Sequence, residues 1–235
     1  MKGEIFVRYL CAAVVVFFIV YLLTPILIKL ANKLDFCDKP TERKKQESPI
    51  PLLGGTSIFV GFFLGYLIFM RPIEKKSFYI LISSLLVLGI GMVDDWYKTK
   101  GKEFAIIPRV IVQFISILMV YYSGIAFTGC TNPFTSTYTY IVLPVGISFF
   151  FTFTWIFGIT TVINCSDGVD GLAGSLSAIA GSTLFVVALA KNQTDSAMMS
   201  ILFVGALIGF LKYNKYPAKI YMGILGQTFQ DLYWQ

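Results

Sequence analysis

Long apolar stretches alternate with short polar ones along almost the whole chain. Each of seven stretches is at or near the roughly 20 residues that an α-helix needs to cross a bilayer. They cover residues 9–28, 50–70, 77–93, 110–129, 141–163, 171–190 and 197–211. The first is too long for the apolar part of a secretory signal and is followed by further stretches, so it predicts a retained helix. The pattern predicts an all-α, polytopic bundle of about seven transmembrane helices.

Composition supports this interpretation and narrows the chemistry. Hydrophobic residues make up 56% and charged residues 14% of the 235 residues, and the mean hydropathy is +0.74. Soluble domains are more charged and less apolar, so the expected partner is a lipid bilayer and not a nucleic acid. The four cysteines have no spacing typical of a disulfide framework or a zinc site. Histidine is absent, so we expect any bound metal to have oxygen ligands.

Basic residues are divided unequally between the two sides that seven alternating spans define. By the positive-inside rule the richer side is cytoplasmic and the N-terminus is outside, although Lys75 and Lys76 lie on the poorer side. The richer side holds Lys29, Lys33, Lys39, Arg43, Lys44, Lys45, Lys98, Lys100, Lys102, Arg109, Lys212, Lys215 and Lys219.

Two acidic clusters lie at ends of apolar stretches on this predicted cytoplasmic side. The first is the adjacent pair Asp94 and Asp95. Vicinal carboxylates at a helix end can hold Mg²⁺ and leave positions for water and substrate phosphates. The alternative is a solvated helix end whose carboxylates are offset by nearby lysines such as Lys98.

The second cluster is Asn164, Asp167 and Asp170, followed by small residues through Gly174. The two aspartates are three residues apart, which would give them a common direction on a helical turn. A calcium loop is an alternative, but this stretch lacks the further oxygen ligands and the terminal glutamate of an EF-hand. The Asn164 amide can both donate and accept hydrogen bonds, as recognition of a nucleotide or sugar requires.

A basic loop with prolines precedes the second apolar stretch. Residues 38–55 read DKPTERKKQESPIPLLGG. Basic residues beside a membrane commonly contact anionic lipid. The prolines that lead into Gly54 and Gly55 predict a more ordered role, such as a diphosphate clamp.

The chain resembles the polyprenyl-phosphate sugar-1-phosphate transferases in three motifs that follow one another in the family's order. They are the loop at residues 38–55, residues 91–96 followed by Pro108 and Gln113, and residues 164–173. That family includes the undecaprenyl-phosphate GlcNAc-1-phosphate transferases and the phospho-MurNAc-pentapeptide translocases, and is also called glycosyltransferase family 4. The resemblance covers nearly the whole chain and implies transfer of a sugar 1-phosphate from a UDP-sugar to a polyprenyl phosphate with release of UMP. It implies a bacterial plasma membrane protein with a cytoplasmic site for Mg²⁺, with Mn²⁺ as an alternative ion, and leaves a homodimer open.

The resemblance also implies roles for individual residues. Asp94 and Asp95 would bind the metal and serve catalysis, in which Asp170 would take part. The expected substrate-binding residues are Arg43, Lys44, Lys45, Lys98, Asn164, Asp167 and Asp170.

The loop at residues 38–55 resembles the GlcNAc-1-phosphate branch more than the pentapeptide branch, which remains the alternative. Two positions depart from the GlcNAc-1-phosphate branch. Gln46 stands near the position of a histidine that is common in that branch, and Thr161 replaces an asparagine upstream of the third motif. An inactive remnant and a cation-coupled transporter are further alternatives. A transporter predicts acidic residues in the middle of a span.

The last residues depart from the family pattern. The resemblance implies an aspartate after Gly223, as part of Asp-Thr/Ser-Gly-Ser, whereas this chain continues Ile224-Leu225-Gly226. Restoring one G before a back-translated codon 224 yields that motif, so we interpret 1–223 as a C-terminally truncated transferase domain and 224–235 as a frameshifted tail. The chain as written is then expected to be inactive, and sequencing of the gene across codon 223 tests this hypothesis.

Overall fold

The computed structural model describes residues 2–39, 48–72, 75–132 and 140–223, and the side chains of residues 2–5 are left aside. Arg43, Lys44, Lys45 and the proposed tail at 224–235 therefore lie outside the described residues. Within these ranges the chain forms seven α-helices. They are α1 Lys2–Lys33, α2 Gly54–Phe69, α3 Lys75–Thr99, α4 Ile106–Tyr122, α5 Val145–Ser166, α6 Leu172–Ala190 and α7 Thr194–Asn214.

The predicted helix bundle is confirmed. Every predicted apolar stretch overlaps one of the seven helices, and five of the helices are long and apolar enough to cross a membrane. The helices α2 and α4 are shorter, with 16 and 17 residues. The described residues belong to two compact units, one formed by 1–73, 91–104 and 163–235 and the other by 74–90 and 105–162.

The first unit is built around α7, which packs against α1, α2 and α6. Its core contains Val16 and Val20 of α1 and Leu202, Leu207 and Phe210 of α7, all nearly inaccessible to solvent. Glycines allow close approach of the helix backbones. A Cβ atom at Gly205 would lie 2.6 Å from the carbonyl oxygen of Ala13, and one at Gly209 would lie 2.7 Å from that of Phe17. Small residues at such contacts are typical of helix packing in membranes.

The predicted start of the second span, at residue 50, is wrong. Ile50–Pro51 (β2) instead pairs in antiparallel fashion with Cys37–Asp38 (β1), and α2 begins at Gly54. Pro49 and Pro51 explain the difference, because a residue that precedes a proline is disfavoured in helical conformation. The strand pair places the start of α2 beside the end of α1.

The second unit contains the first part of α3, together with α4, most of α5 and a hairpin. The predicted boundaries at 129 and 141 are wrong, because α4 already ends at Tyr122 and Gly124 adopts a φ of +91°. Gly129–Thr131 (β3) then pairs with Tyr140–Val142 (β4). The hydroxyl of Ser116 donates to the carbonyl of Ser83 at 3.3 Å, which joins α4 to α3.

Candidate functional site

Asp94 and Asp95 lie near the C-terminal end of α3 and are almost fully buried, with relative exposures of 0% and 2%. Lys98 follows one helical turn later. Its Nζ atom is 3.1 Å from Asp94 Oδ2 and 3.7 Å from Asp95 Oδ1. A buried carboxylate is costly unless it is paired with a cation. The helix thus presents two carboxylates and one ammonium group as a compact charged cluster.

Asp167 interacts electrostatically with Asp95 and Lys98 of this cluster. It lies in the turn between α5 and α6, where the pKa of its carboxyl group is raised from 3.8 to about 7. Burial is the largest cause, the charges of Asp95 and Asp170 add to it, and Lys98 opposes it. The structure therefore brings together residues of two motifs that are about 70 positions apart in the sequence. Residues 167–171 form a turn between two helices, as the break between the predicted apolar stretches indicates.

Asp170 makes a structural contact in addition to its electrostatic one. Its Oδ2 atom accepts a hydrogen bond from the backbone N–H of Ala218 at 2.9 Å. Asn164 is half-buried at the end of α5, and its carbonyl accepts from the N–H of Asp167 at 3.2 Å. These contacts fix the start and the end of the turn.

The segment after α7 runs through this region, and its last described residue, Gly223, was not among the predicted site residues. A Cβ atom at Gly223 would lie 2.6 Å from Asp95 Oδ2, so the backbone passes directly against that carboxylate. Its φ of +72° is also one that favours glycine. The only sequence signal was the position of this glycine just before the departure from the family motif.

The backbone amides of Gly54 and Gly55 take part in this arrangement. They donate to the carbonyls of Tyr221 and Met222, at 3.0 Å and 2.6 Å. Both amides therefore bind the segment after α7. The diphosphate clamp expected of the loop at residues 38–55 stays a prediction. The basic residues Arg43, Lys44 and Lys45 of the same loop lie outside the described residues.

The donor set fits a magnesium ion bound together with a substrate. In the part of the chain that the structure describes, no group of three or more acidic, cysteine or histidine side chains is arranged to hold a metal. Mg²⁺ commonly uses one or two protein carboxylates and takes its other ligands from water and phosphate. Asp94 and Asp95 match this mode.

A bundle of membrane-length helices with buried carboxylates at a helix end defines a class of integral membrane protein with a polar site at a membrane face. The family is given by comparison with known sequences. The model of glycosyl transferase family 4 matches residues 77–230, about two thirds of the chain, and the chain belongs to this family.

Individual relatives carry two kinds of name. A probable undecaprenyl-phosphate N-acetylglucosaminyl 1-phosphate transferase of Bacillus subtilis is 31% identical over 97% of this chain and 62% of its own length. A phospho-N-acetylmuramoyl-pentapeptide-transferase of Listeria innocua is 29% identical over 87% of this chain and 65% of its own length. One of Rubrobacter xylanophilus is 30% identical over 75% and 56%. The chain thus spans less than two thirds of these relatives.

Proposed function

We propose that the site serves transfer of a sugar 1-phosphate from a UDP-sugar to a polyprenyl phosphate such as undecaprenyl phosphate. The observation that carries this proposal is the buried pair Asp94 and Asp95, which lies beside Lys98 and in the electrostatic field of Asp167. The family match supports a transferase over a cation-coupled transporter. The phospho-MurNAc-pentapeptide reaction is the alternative for the donor.

In this reaction an oxygen of the lipid phosphate forms a bond to the β-phosphorus of the UDP-sugar. The bond between that phosphorus and the bridging oxygen breaks, and UMP leaves with the bond's electron pair. Phosphoryl transfer depends chiefly on positioning and on neutralisation of charge. Asp94 and Asp95 would hold Mg²⁺, or Mn²⁺ as an alternative, which when bound would neutralise phosphate charge.

The side chains of this chain would contribute in distinct ways. One carboxylate of the Asp94–Asp95 pair would accept a proton from the lipid phosphate. Lys98 would hold the lipid phosphate with its ammonium group, which is also placed to fix Asp94. Asn164, Asp167 and Asp170 would surround the nucleotide-sugar, and Arg43, Lys44 and Lys45 would approach its diphosphate.

The cytoplasmic orientation, with the N-terminus outside, rests on the distribution of basic residues. The exposed cysteines Cys165 and Cys130 would then lie on opposite sides of the membrane. Reaction of Cys165 with an impermeant maleimide only from the cytoplasmic side of sealed vesicles tests this placement, and reaction only from outside contradicts it.

The preferred donor is UDP-GlcNAc, because residues 38–55 resemble the GlcNAc-1-phosphate branch. The donor is decided by a transfer assay in membranes with labelled UDP-GlcNAc and UDP-MurNAc-pentapeptide. The assay uses the protein made from the gene read with one G restored before codon 224. Labelled polyprenyl diphosphate-sugar and UMP are expected from UDP-GlcNAc. Product from the pentapeptide donor alone would reverse the choice of donor.

The assay also tests the role of the residue after Gly223. Because Ile224 stands where the resemblance implies an aspartate that binds magnesium, we expect the 235-residue chain to show little or no turnover. The gene read with one G restored before codon 224 is expected to restore it. Magnesium-dependent turnover by the 235-residue chain would contradict the expected inactivity, whereas absence of turnover by the restored protein with either donor would contradict the proposed reaction.

A further inference from the structure

A buried asparagine at the end of α7 connects three parts of the first unit. Asn214 is only 2% exposed. Its Oδ1 atom accepts a hydrogen bond from the N–H of Gly171 at 3.1 Å, and its Nδ2 atom donates to the carbonyl of Ile220 at 2.9 Å. One side chain therefore ties the end of α7 to the first residue before α6 and to the segment that follows α7.

The same segment is attached to the α5–α6 turn at a second point. The N–H of Ala218 donates to Asp170 Oδ2 at 2.9 Å. Asn214 and Asp170 thus fasten the turn to the segment from opposite directions, since Asn214 reaches the turn from α7 and Asp170 reaches the segment from the turn. We call residues 214–223 the clasp.

The far end of the clasp is fixed beside the carboxylates of α3. The N–H of Tyr221 donates to the carbonyl of Pro51 at 2.8 Å, and its carbonyl accepts from Gly54 at 3.0 Å. Gly223 then passes against Asp95, where a Cβ atom would lie 2.6 Å from Oδ2. The clasp is thus a continuous stretch of ten residues that contacts the turn carrying Asp167 and Asp170 at one end and Asp95 at the other.

We propose that Asn214 is a positioning residue that sets the distance between the Asp167–Asp170 turn and the Asp94–Asp95 pair through the clasp. This inference rests on the proposed function for its consequence, because the turn would hold the nucleotide-sugar and the pair would hold its metal. Asn214 acts here through Gly171 and Ile220.

The chemistry of the asparagine amide explains why this residue type is needed. The position requires an acceptor for one backbone N–H and a donor for one backbone carbonyl, and an amide supplies both. Leucine has a similar shape and supplies neither. Aspartate keeps the acceptor for Gly171 but, when ionised, places a negative oxygen against the carbonyl of Ile220. A buried peptide group that loses its partner carries its full desolvation cost.

Native cysteines allow the proposal to be tested without turnover. Cys165 is exposed and lies two residues before Asp167, whereas the exposed Cys130 belongs to the second unit. The rate at which a polar maleimide alkylates each cysteine of the full chain is followed by peptide mass spectrometry. The variants are Asn214→Leu, the milder Asn214→Asp, and Tyr9→Phe as control. The Tyr9 hydroxyl donates to the carbonyl of Thr194 at 3.4 Å, so the control removes a hydrogen bond at the other end of α7.

Asn214→Leu is expected to raise the Cys165 rate about tenfold, as loss of two buried hydrogen bonds implies, and to leave the Cys130 rate unchanged. Asn214→Asp should give an intermediate rate, and Tyr9→Phe should leave both rates unchanged. Unchanged Cys165 rates in both Asn214 variants would overturn the proposal. An equal rise at Cys130 would also overturn it, because it would indicate general loosening.

A second measurement separates positioning from a purely structural contact. UDP-GlcNAc with Mg²⁺ is expected to protect Cys165 in the unmodified chain, and Asn214→Asp should raise the nucleotide concentration needed for half protection while Tyr9→Phe should not. An unchanged concentration in Asn214→Asp would reduce Asn214 to a structural contact and overturn the positioning role. If neither the unmodified chain nor the protein with the restored reading frame shows protection, the proposed function fails, while the rates without nucleotide still decide whether Asn214 holds the turn.

Discussion

The acidity of Asp167 follows from where its side chain is placed. The carboxyl group is largely removed from water and faces the negative charges of Asp95 and Asp170, so its pKa rises from 3.8 to about 7. Both effects disfavour the charged form. Near neutral pH this carboxyl group is therefore partly protonated, whereas an ordinary surface aspartate is ionised.

This shift predicts a pH-dependent stability. The folded chain binds a proton at Asp167 that the unfolded chain has already released between pH 3.8 and about 7. The contribution of this group to stability is therefore greatest below the unfolded pKa and falls as pH rises to 7. Asp167→Asn removes the charge, so its stability relative to the unmodified chain should increase from pH 4 to pH 7 by on the order of 2–4 kcal/mol and then level off. Thermal unfolding in detergent with EDTA at several pH values measures this, and parallel pH profiles would contradict it.

The sequence indicated the charged residues of the site but not their polar supports. Asp94, Asp95 and Asp167 were identifiable because carboxylates at the ends of apolar stretches are costly without a function. Asn214 could not be identified in this way, because an asparagine that ends a helix is ordinary and its partner Gly171 is 43 positions away. Long-range hydrogen bonds of this kind leave no local pattern.

At the scale of helices, the contact of α7 with α1 determines the first unit. Gly205 and Gly209 face the backbone of α1 so closely that a side chain at either position would meet Ala13 or Phe17. Within lipid, packing and not hydrophobicity drives the association of helices. The close approach of the two backbones therefore stabilises the pair of α1 and α7. Small residues such as Ala173, Gly174 and Ala178 are visible in the sequence of α6, but the partner helices became known only from the structure.

Gly205→Ala should destabilise the chain. Its new methyl group would lie 2.6 Å from the carbonyl oxygen of Ala13, a backbone atom that cannot rotate away. We expect a loss of about 1–3 kcal/mol, as for overpacking elsewhere. Thermal unfolding in detergent measures this. Gly158→Ala in α5 is the matched control, because no described atom lies within 4 Å of its added Cβ, and it should be neutral or stabilising. Equal effects of the two variants would contradict the packing argument.

The element boundaries that were wrong share one cause. Residues 50–53, 123–129 and 141–144 extend the predicted apolar stretches beyond the helices, and short strand pairs occupy parts of these regions. Hydropathy measures transfer into lipid and is insensitive to backbone conformation. Prolines and glycines at these positions carry the conformational signal, and they indicate helix ends more accurately than hydropathy does.

At the scale of the whole molecule, the number and order of the helices were predictable from hydropathy alone, and the meeting of the motifs was not. The first unit draws on three separate stretches of the chain, and its site combines the end of α3, the α5–α6 turn and the clasp. The positive-inside rule placed these stretches on one membrane face but gave no distances. Packing of α7 against α1, α2 and α6 determines where its end and the clasp lie.

The central claim is that Asp94 and Asp95 support metal-dependent binding of a UDP-sugar. Its most direct test is equilibrium binding of labelled UDP-GlcNAc to the purified chain in lipid nanodiscs, with and without Mg²⁺. The control variant is Asp35→Asn, at an exposed position paired with Lys39 at 2.7 Å, where the φ of +52° suits asparagine. The account predicts that Mg²⁺ tightens binding about tenfold or more, because the metal would contact the phosphates directly. Asp95→Asn should abolish this gain in affinity, and Asp35→Asn should preserve it. Binding that is indifferent to Mg²⁺, or a gain that survives in Asp95→Asn, would contradict the account.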